Sequence, residues 1–196
     1  MSRSFSFLAF VICLLLPASL LAEPAIWDKH SKRLELSPFV DYRLEQGRPG
    51  LAEIAALPDD AWQNNGNDSV SLGYGRDVYW FRVSVDNRLD TEAVNLLEIS
   101  YPVLDRIELY RSSAPGQEPL ILGDKQPFYD RPIHHRNFVV PLEIAPNTTE
   151  TLYLRVETTS SMQVPMTLWE QDAFYAAEQA RSLFEGVYYG IVLGMI

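Results

Sequence analysis

From residue 78 onward the chain alternates apolar and polar residues with a period of two. In VYWFRVSVDN, residues 78–87, Tyr79, Phe81, Val83 and Val85 alternate with Trp80, Arg82, Ser84 and Asp86. Successive side chains of a strand point to opposite faces, so this pattern predicts a half-buried strand. NLLEISYP sets Asn95, Leu97, Ile99 and Tyr101 against Leu96, Glu98 and Ser100. DRIELYR places Ile107 and Leu109 on one face, with Arg106, Glu108 and Tyr110 on the other. RNFVVPLEI contributes Phe138, Val140 and Leu142, and TLYLRVETT contributes Leu152, Leu154 and Val156. VPMTLWE reads as a last short strand. Pro141 cannot donate to a ladder and predicts an edge or a bulge. Turn signals separate the strands at Asp86-Asn87, Ser113–Gly116, Gly123-Asp124 and Pro146-Asn147. Short antiparallel strands with no helices between them predict an all-β sandwich or barrel.

The flanks differ. SPFVDYRLEQ, 37–46, reads as a first strand after a mobile lead-in. LAEIAALPDDAW, 51–62, predicts a short helix with Leu51, Ile54, Ala55 and Leu57 on one face. A second helix is expected after an Asp172 N-cap, with Phe174, Ala177, Arg181 and Phe184 at helical spacing. It runs into GVYYGIVLGMI, residues 186–196, which carries no charge. That run is too short to cross a bilayer, which takes about 20 residues. At the other end, MSRSFS precedes the apolar FLAFVICLLL, then Pro17 and the small-residue stretch ASLLA. This is the layout of a signal peptide cleaved after Ala22. Cys13 lies in its apolar core, so the exported chain has no cysteine and must be stabilised without disulfides.

The 196 residues suit one domain, and an apolar content of 47% suits a real core. A formal net charge of -10 excludes nucleic acid as a partner and opposes docking on an anionic lipid surface. The mature chain has no serine elbow, Gly-rich phosphate loop or HExxH, so an enzyme is not expected, nor is a cofactor.

Five segments occur in one order: SLGYGRDVYWFRVSVDN, LLEISYPVLDRIELY, LGDKQPFYDRPIHHRNFVVPLEI, TLYLRVETTSSMQVPMTLW and GVYYGIVLGMI. Together they resemble the extracellular domain type 2 of bacterial seven-transmembrane receptors with diverse intracellular signalling modules, 7TMR-DISM. The resemblance spans roughly residues 36–170. It implies an antiparallel jelly-roll β-sandwich similar to carbohydrate-binding modules. It also implies a periplasmic ligand sensor wired through membrane helices to a kinase or a diguanylate cyclase. The expected organisation is a signal peptide over 1–22, a lead-in over 23–35, the sensor domain over 36–170 and a connecting helix over 171–185. Residues 186–196 are then the start of a first transmembrane helix in a truncated chain. The expected partners are a small-molecule ligand (a carbohydrate or a carboxylate), the inner membrane through the C-terminal segment, and a second copy of the chain. A free periplasmic carbohydrate-binding module and an adaptor that binds another receptor are the competing readings.

The candidate ligand-binding residues are Trp80, Arg82, Tyr101, Asp105, Arg131 and Arg136. Arg131 and Arg136 flank His134 and His135 in YDRPIHHRNF. Their forked donors suit a carboxylate or a sugar hydroxyl, or a structural pairing with Asp105, Asp130 or Glu108. Neighbouring His134 and His135 would face opposite ways on a strand and cannot chelate one metal together. Trp80, Tyr101, Tyr110 and Trp169 can stack on sugar rings or fill the core and its rim. Trp80 and Arg82 share a strand face opposite Phe81 and Val83, which makes that face the stronger binding surface. The oxygen-rich NNGND loop, 64–68, lacks EF-hand spacing and reads as a turn.

Overall fold

The period-two segments form two sheets whose apolar faces meet. In this computed structural model residues 23–67 and 69–195 are described, and the signal peptide expected over 1–22 lies outside them. The larger sheet has the order β4 (Gln63–Asn64), β3 (Asp41–Leu44), β6 (Tyr79–Asn87), β11 (Thr148–Glu157), β8 (Arg106–Arg111) and β9 (Leu120–Leu122). The short β1 (Ala25–Trp27) joins β6 in parallel. The smaller sheet has the order β10 (Phe138–Ile144), β7 (Ala93–Ile99), β13 (Met166–Glu170) and β2 (Arg33–Glu35). A separate pair is made by β5 (Ser71–Tyr74) and β12 (Ser161–Gln163). The fold is an all-β sandwich, antiparallel apart from β1, with one C-terminal helix.

The core is built from the alternating positions. Phe81, Val83 and Val85 of β6 and Leu152, Leu154 and Val156 of β11 are buried with Ile107 and Leu109 of β8. They meet Leu97 and Ile99 of β7, Phe138, Val140 and Leu142 of β10, and Met166 and Leu168 of β13. Register is strongly fixed here, because a slip of one residue would turn every inward side chain outward. Pro141 lies on β10, an edge of the smaller sheet, where its missing N–H costs no ladder bond.

Three local expectations change. Residues 25–27 and 33–35, within the expected lead-in, are β1 and β2, and Ala25 and Trp27 enter the main core. Three-residue strands are too short to carry a legible period. The helix expected over 51–62 is split into α1 (Leu51–Ala55) and a 3-10 turn, Asp59–Ala61. Pro58 separates them, since it disfavours helical backbone at the residue before it. The strand expected over 37–46 begins only at Asp41, after a 3-10 turn at Ser37–Phe39.

The C-terminal helix, α2 (Gln171–Gly194), starts after Glu170 rather than on an Asp172 cap. Asp172 lies in its first turn, where its charge suits the helix dipole. Phe174, 2% exposed, packs on Leu96 and Val139 on the outer side of the smaller sheet. The helix then runs back across that sheet, passes His135 and Arg136 at the start of β10, and projects beyond it. Among the described residues no helix is long and apolar enough to cross a membrane.

Candidate functional site

Two rows of polar and aromatic side chains cross the outer face of the larger sheet. Strand register aligns Asp41, Arg82, Tyr153 and Tyr110 in one row. It aligns Arg43, Trp80, Arg155 and Glu108 in the next. Alternation explains both rows: each residue neighbours an inward apolar residue on its own strand.

A strap, residues 45–62, folds over these rows. Its start is tied down by Glu45, whose carboxylate accepts from Arg155 Nε at 2.6 Å and Nη2 at 2.9 Å, and from Trp80 Nε1 at 2.8 Å. The forked guanidinium meets both carboxylate oxygens, the strongest arrangement available to such a pair. Arg155 also approaches Glu108 at 3.5 Å. The middle of the strap buries Ile54 and Trp62 against Trp80, in an apolar cluster separate from the main core. Its end is tied by Asp59, which accepts from Arg82 Nη1 at 2.9 Å. Arg82 also gives Nε and Nη2 to Asp41 at 3.2 and 2.7 Å, and stacks over Trp62 at 4.7 Å.

Electrostatics stiffen the uncovered part of the rows. Tyr110 stacks on Trp80 at 5.7 Å and donates to Glu108 at 2.9 Å. Burial and that bond to a carboxylate push its hydroxyl up to about 12. Burial pushes Glu108 up, but bonds from Arg106 and Tyr110 and the nearby Arg155 charge outweigh it, so Glu108 titrates below the usual range. At neutral pH this is a charged carboxylate holding a neutral phenol, so the ring of Tyr110 is fixed in place.

The strap leaves two grooves with Tyr153 as their common wall. The first, about 370 Å³, is lined by Glu23, Phe39, Asp41, Asp59, Arg82 and Tyr153 among others. It is acidic, and its arginine is already engaged by two carboxylates. The second, about 450 Å³, has Tyr110, Tyr153, Leu51, Ala52 and Ala55 as its apolar lining. Arg111, Ser112, Gln117 and Glu118 stand around it as polar groups, Arg111 paired with Glu150 at 3.0 Å. Apolar walls with a few convergent polar groups, at this volume, are the usual form of a small-molecule site. Under the strap, Trp62 Nε1 and Arg43 Nε and Nη1 are buried without a partner among the described residues.

The six residues selected from sequence occupy four places. Trp80 and Arg82 lie on the strapped face, Trp80 only 1% exposed. Tyr101 packs on the main core. Asp105, in the β7–β8 connection, accepts from Lys125 Nζ at 2.5 Å and from Thr159 N and Oγ1 at 3.1 and 3.0 Å. Arg131 donates to the carbonyls of His135 and Arg136 at 2.7 and 3.3 Å and lies over the rings of Phe128 and Phe138. Arg136 pairs with Glu178 at 3.5 Å and Glu185 at 3.2 Å, and His135 pairs with Glu178 at 3.0 Å. The arginine partners are thus loop carbonyls and helix glutamates, not Asp105, Asp130 or Glu108. Sequence reasoning did not single out Tyr153, Arg155, Glu45 or Trp62. The alternation of Leu152, Leu154 and Val156 did carry Tyr153 and Arg155, as the outward residues between them.

A family model described as 7TMR-DISM extracellular 2 matches residues 39–170. That span runs from the turn before β3 to the end of β13 and includes the four strands that carry the two rows, β3, β6, β11 and β8. No curated protein matches the chain.

Proposed function

The chain belongs to the 7TMR-DISM extracellular 2 family, and from that premise we propose that it is the ligand-sensing domain of a membrane receptor. It holds its small molecule on the strapped face of the larger sheet. The signal peptide read over 1–22 exports it, and the apolar second half of α2 joins it to the membrane. The observation that carries the reading is the second groove, where Tyr110 and Tyr153 wall a volume of about 450 Å³ beside the strap. The ligand favoured there is an uncharged ring compound, a carbohydrate foremost. Its apolar C–H face suits the tyrosine rings, and its hydroxyls suit Ser112, Gln117 and Glu118. A carboxylate is disfavoured, because Arg111, the arginine of this groove, is already paired with Glu150, and Arg82, Arg131, Arg136 and Arg155 likewise have partners within the domain. The domain reads its ligand rather than converting it.

The test is a thermal-unfolding screen of the chain against mono- and disaccharides, amino acids and organic acids. A ligand at about 100 times its dissociation constant adds roughly 2.7 kcal/mol, a shift of several degrees. A sugar hit that is lost in Tyr153→Ala supports the site. A hit confined to organic acids, or one indifferent to Tyr153, overturns it.

A further inference from the structure

One end of the sandwich is unusually apolar, and α2 leaves from it. Register identifies this end. Leu44 pairs with Tyr79 at the start of β6, and Tyr79 lies opposite Val156 near the end of β11. Ile99, Phe138 and Met166 meet where β7 ends and β10 and β13 begin. The connections β7–β8, β9–β10 and β11–β12 therefore all turn here. Ser160 bonds the carbonyl of Val103, and Ser161 pairs with Tyr74, which brings β5 to the same end.

The exposed large apolar side chains are unevenly placed. Leu44, Tyr74, Val103, Phe128 and Tyr129 are all exposed at this end, Tyr74 by 87% and Tyr129 by 82%. At the opposite end stand Ile26, Val94 and, in the first turns of α2, Tyr175 among the described residues, each exposed by less than half. Phe128, Tyr129 and His134 hold one another ring to ring, with centroids 5.5 to 5.9 Å apart. Arg131 braces Phe128 from behind at 5.0 Å. This is a built aromatic tip rather than a loose loop.

The helix places a membrane at that end. Phe174 sits over Leu96, three residues from the end of β7, roughly 10 Å of strand. Glu185 lies eleven residues further along α2, roughly 16 Å of helix. Glu185 is therefore about level with the loop tips, where Arg136 reaches it at 3.2 Å. From Gly186 on, the described helix carries no charge, and its apolar residues are exposed on every side.

We propose that this end of the sandwich rests on the lipid surface, with Tyr129 and Phe128 inserted at the headgroup level beside α2. The inference rests on the reading that α2 enters a membrane. Amphipathic aromatic rings are the side chains that favour this depth. The partner is a zwitterionic bilayer, since the chain's net charge of -10 opposes an anionic one. The consequence is orientation: the strapped face stands side-on to the bilayer, its grooves open to solvent.

The test uses the mature chain, residues 23–196, in phosphatidylcholine vesicles carrying a headgroup nitroxide lipid. Single cysteines at Tyr129→Cys, Val94→Cys and Leu193→Cys, in this otherwise cysteine-free chain, each bear an environment-sensitive fluorophore. All three replace exposed side chains, so folding is preserved. Quenching at 129 and 193, with 94 unaffected, is expected. Quenching at 193 alone overturns the resting surface and leaves the membrane reading of α2 standing. Equal quenching at 129 and 94 overturns the orientation. No quenching at 193 overturns the reading of α2, and the inference with it.

Discussion

Glu45→Ala removes the anchor of the strap, and its cost follows from what it strands. Arg155 has an 8% exposed side chain and keeps only Glu108 at 3.5 Å and Glu157 at 3.8 Å. Breaking one partner from a buried ion pair costs about 3–5 kcal/mol, because the remaining charge stays buried. The N–H of Trp80 is orphaned at the same time, which by itself costs about 1–3 kcal/mol. The residual attraction of Glu108 offsets part of this, and the two losses overlap, so a net cost of about 3–4 kcal/mol is expected. With an m-value of about 2 kcal/mol/M in urea, the unfolding midpoint falls by about 1.5–2 M. Urea melts followed by tryptophan fluorescence and by circular dichroism measure this directly. The double variant Glu45→Leu, Arg155→Met removes both charges and should recover a large part of the loss. A single-variant cost below about 1 kcal/mol would refute the reasoning, because that is the value of a solvent-screened surface pair. A double variant as unstable as the single one would refute it equally, since the stranded charge would not be the cause.

Further outcomes follow from other parts of the molecule. Gly123 has φ of +143°, and a Cβ there would lie 2.2 Å from the carbonyl oxygen of Asp105. Gly123→Ala should therefore cost at least about 2–3 kcal/mol, seen as a lowered thermal midpoint. Phe174→Ala empties the contact between α2 and the smaller sheet, so tryptic cleavage after Arg181 should accelerate several-fold, with the core strands still protected. Burial raises Glu150, but bonds from Ser113, Ser112 and Arg111 outweigh it, and its carboxyl titrates below the ordinary 4.5. Asp105 is depressed likewise: burial raises it, and Lys125 and Thr159 more than reverse that. A depressed folded value gives stability that is complete above the unfolded value and lost as pH falls through the folded one. Stability should thus be level from neutral pH down to about 5 and fall steadily below about 4.5, with a shallower fall in Glu150→Gln.

The sandwich was legible because its strands bury one face, and burial of one face writes a period of two. Phe81, Val83 and Val85 could not be arranged otherwise. The strands β1 and β2 left no such mark at three residues each. The strapped face was half legible: Trp80 and Arg82 stood out because a bulky ring and a charge shared the outward parity. Their partners did not, since Glu45 lies 110 residues from Arg155 and no local pattern links the two. The same holds for Arg136, whose partners Glu178 and Glu185 belong to a helix 42 and 49 residues on. Spacing reports which face a residue takes; it does not report which distant segment folds over that face.

The central claim is that the groove beside the strap, walled by Tyr110 and Tyr153, receives an uncharged ring ligand. Amide chemical-shift mapping of the ¹⁵N-labelled chain with a panel of neutral mono- and disaccharides tests it most directly. The account predicts saturable shifts concentrated in residues 51–55, 110–119 and 153. Shifts centred on residues 128–137, or no saturable shift with any sugar in the panel, would contradict it.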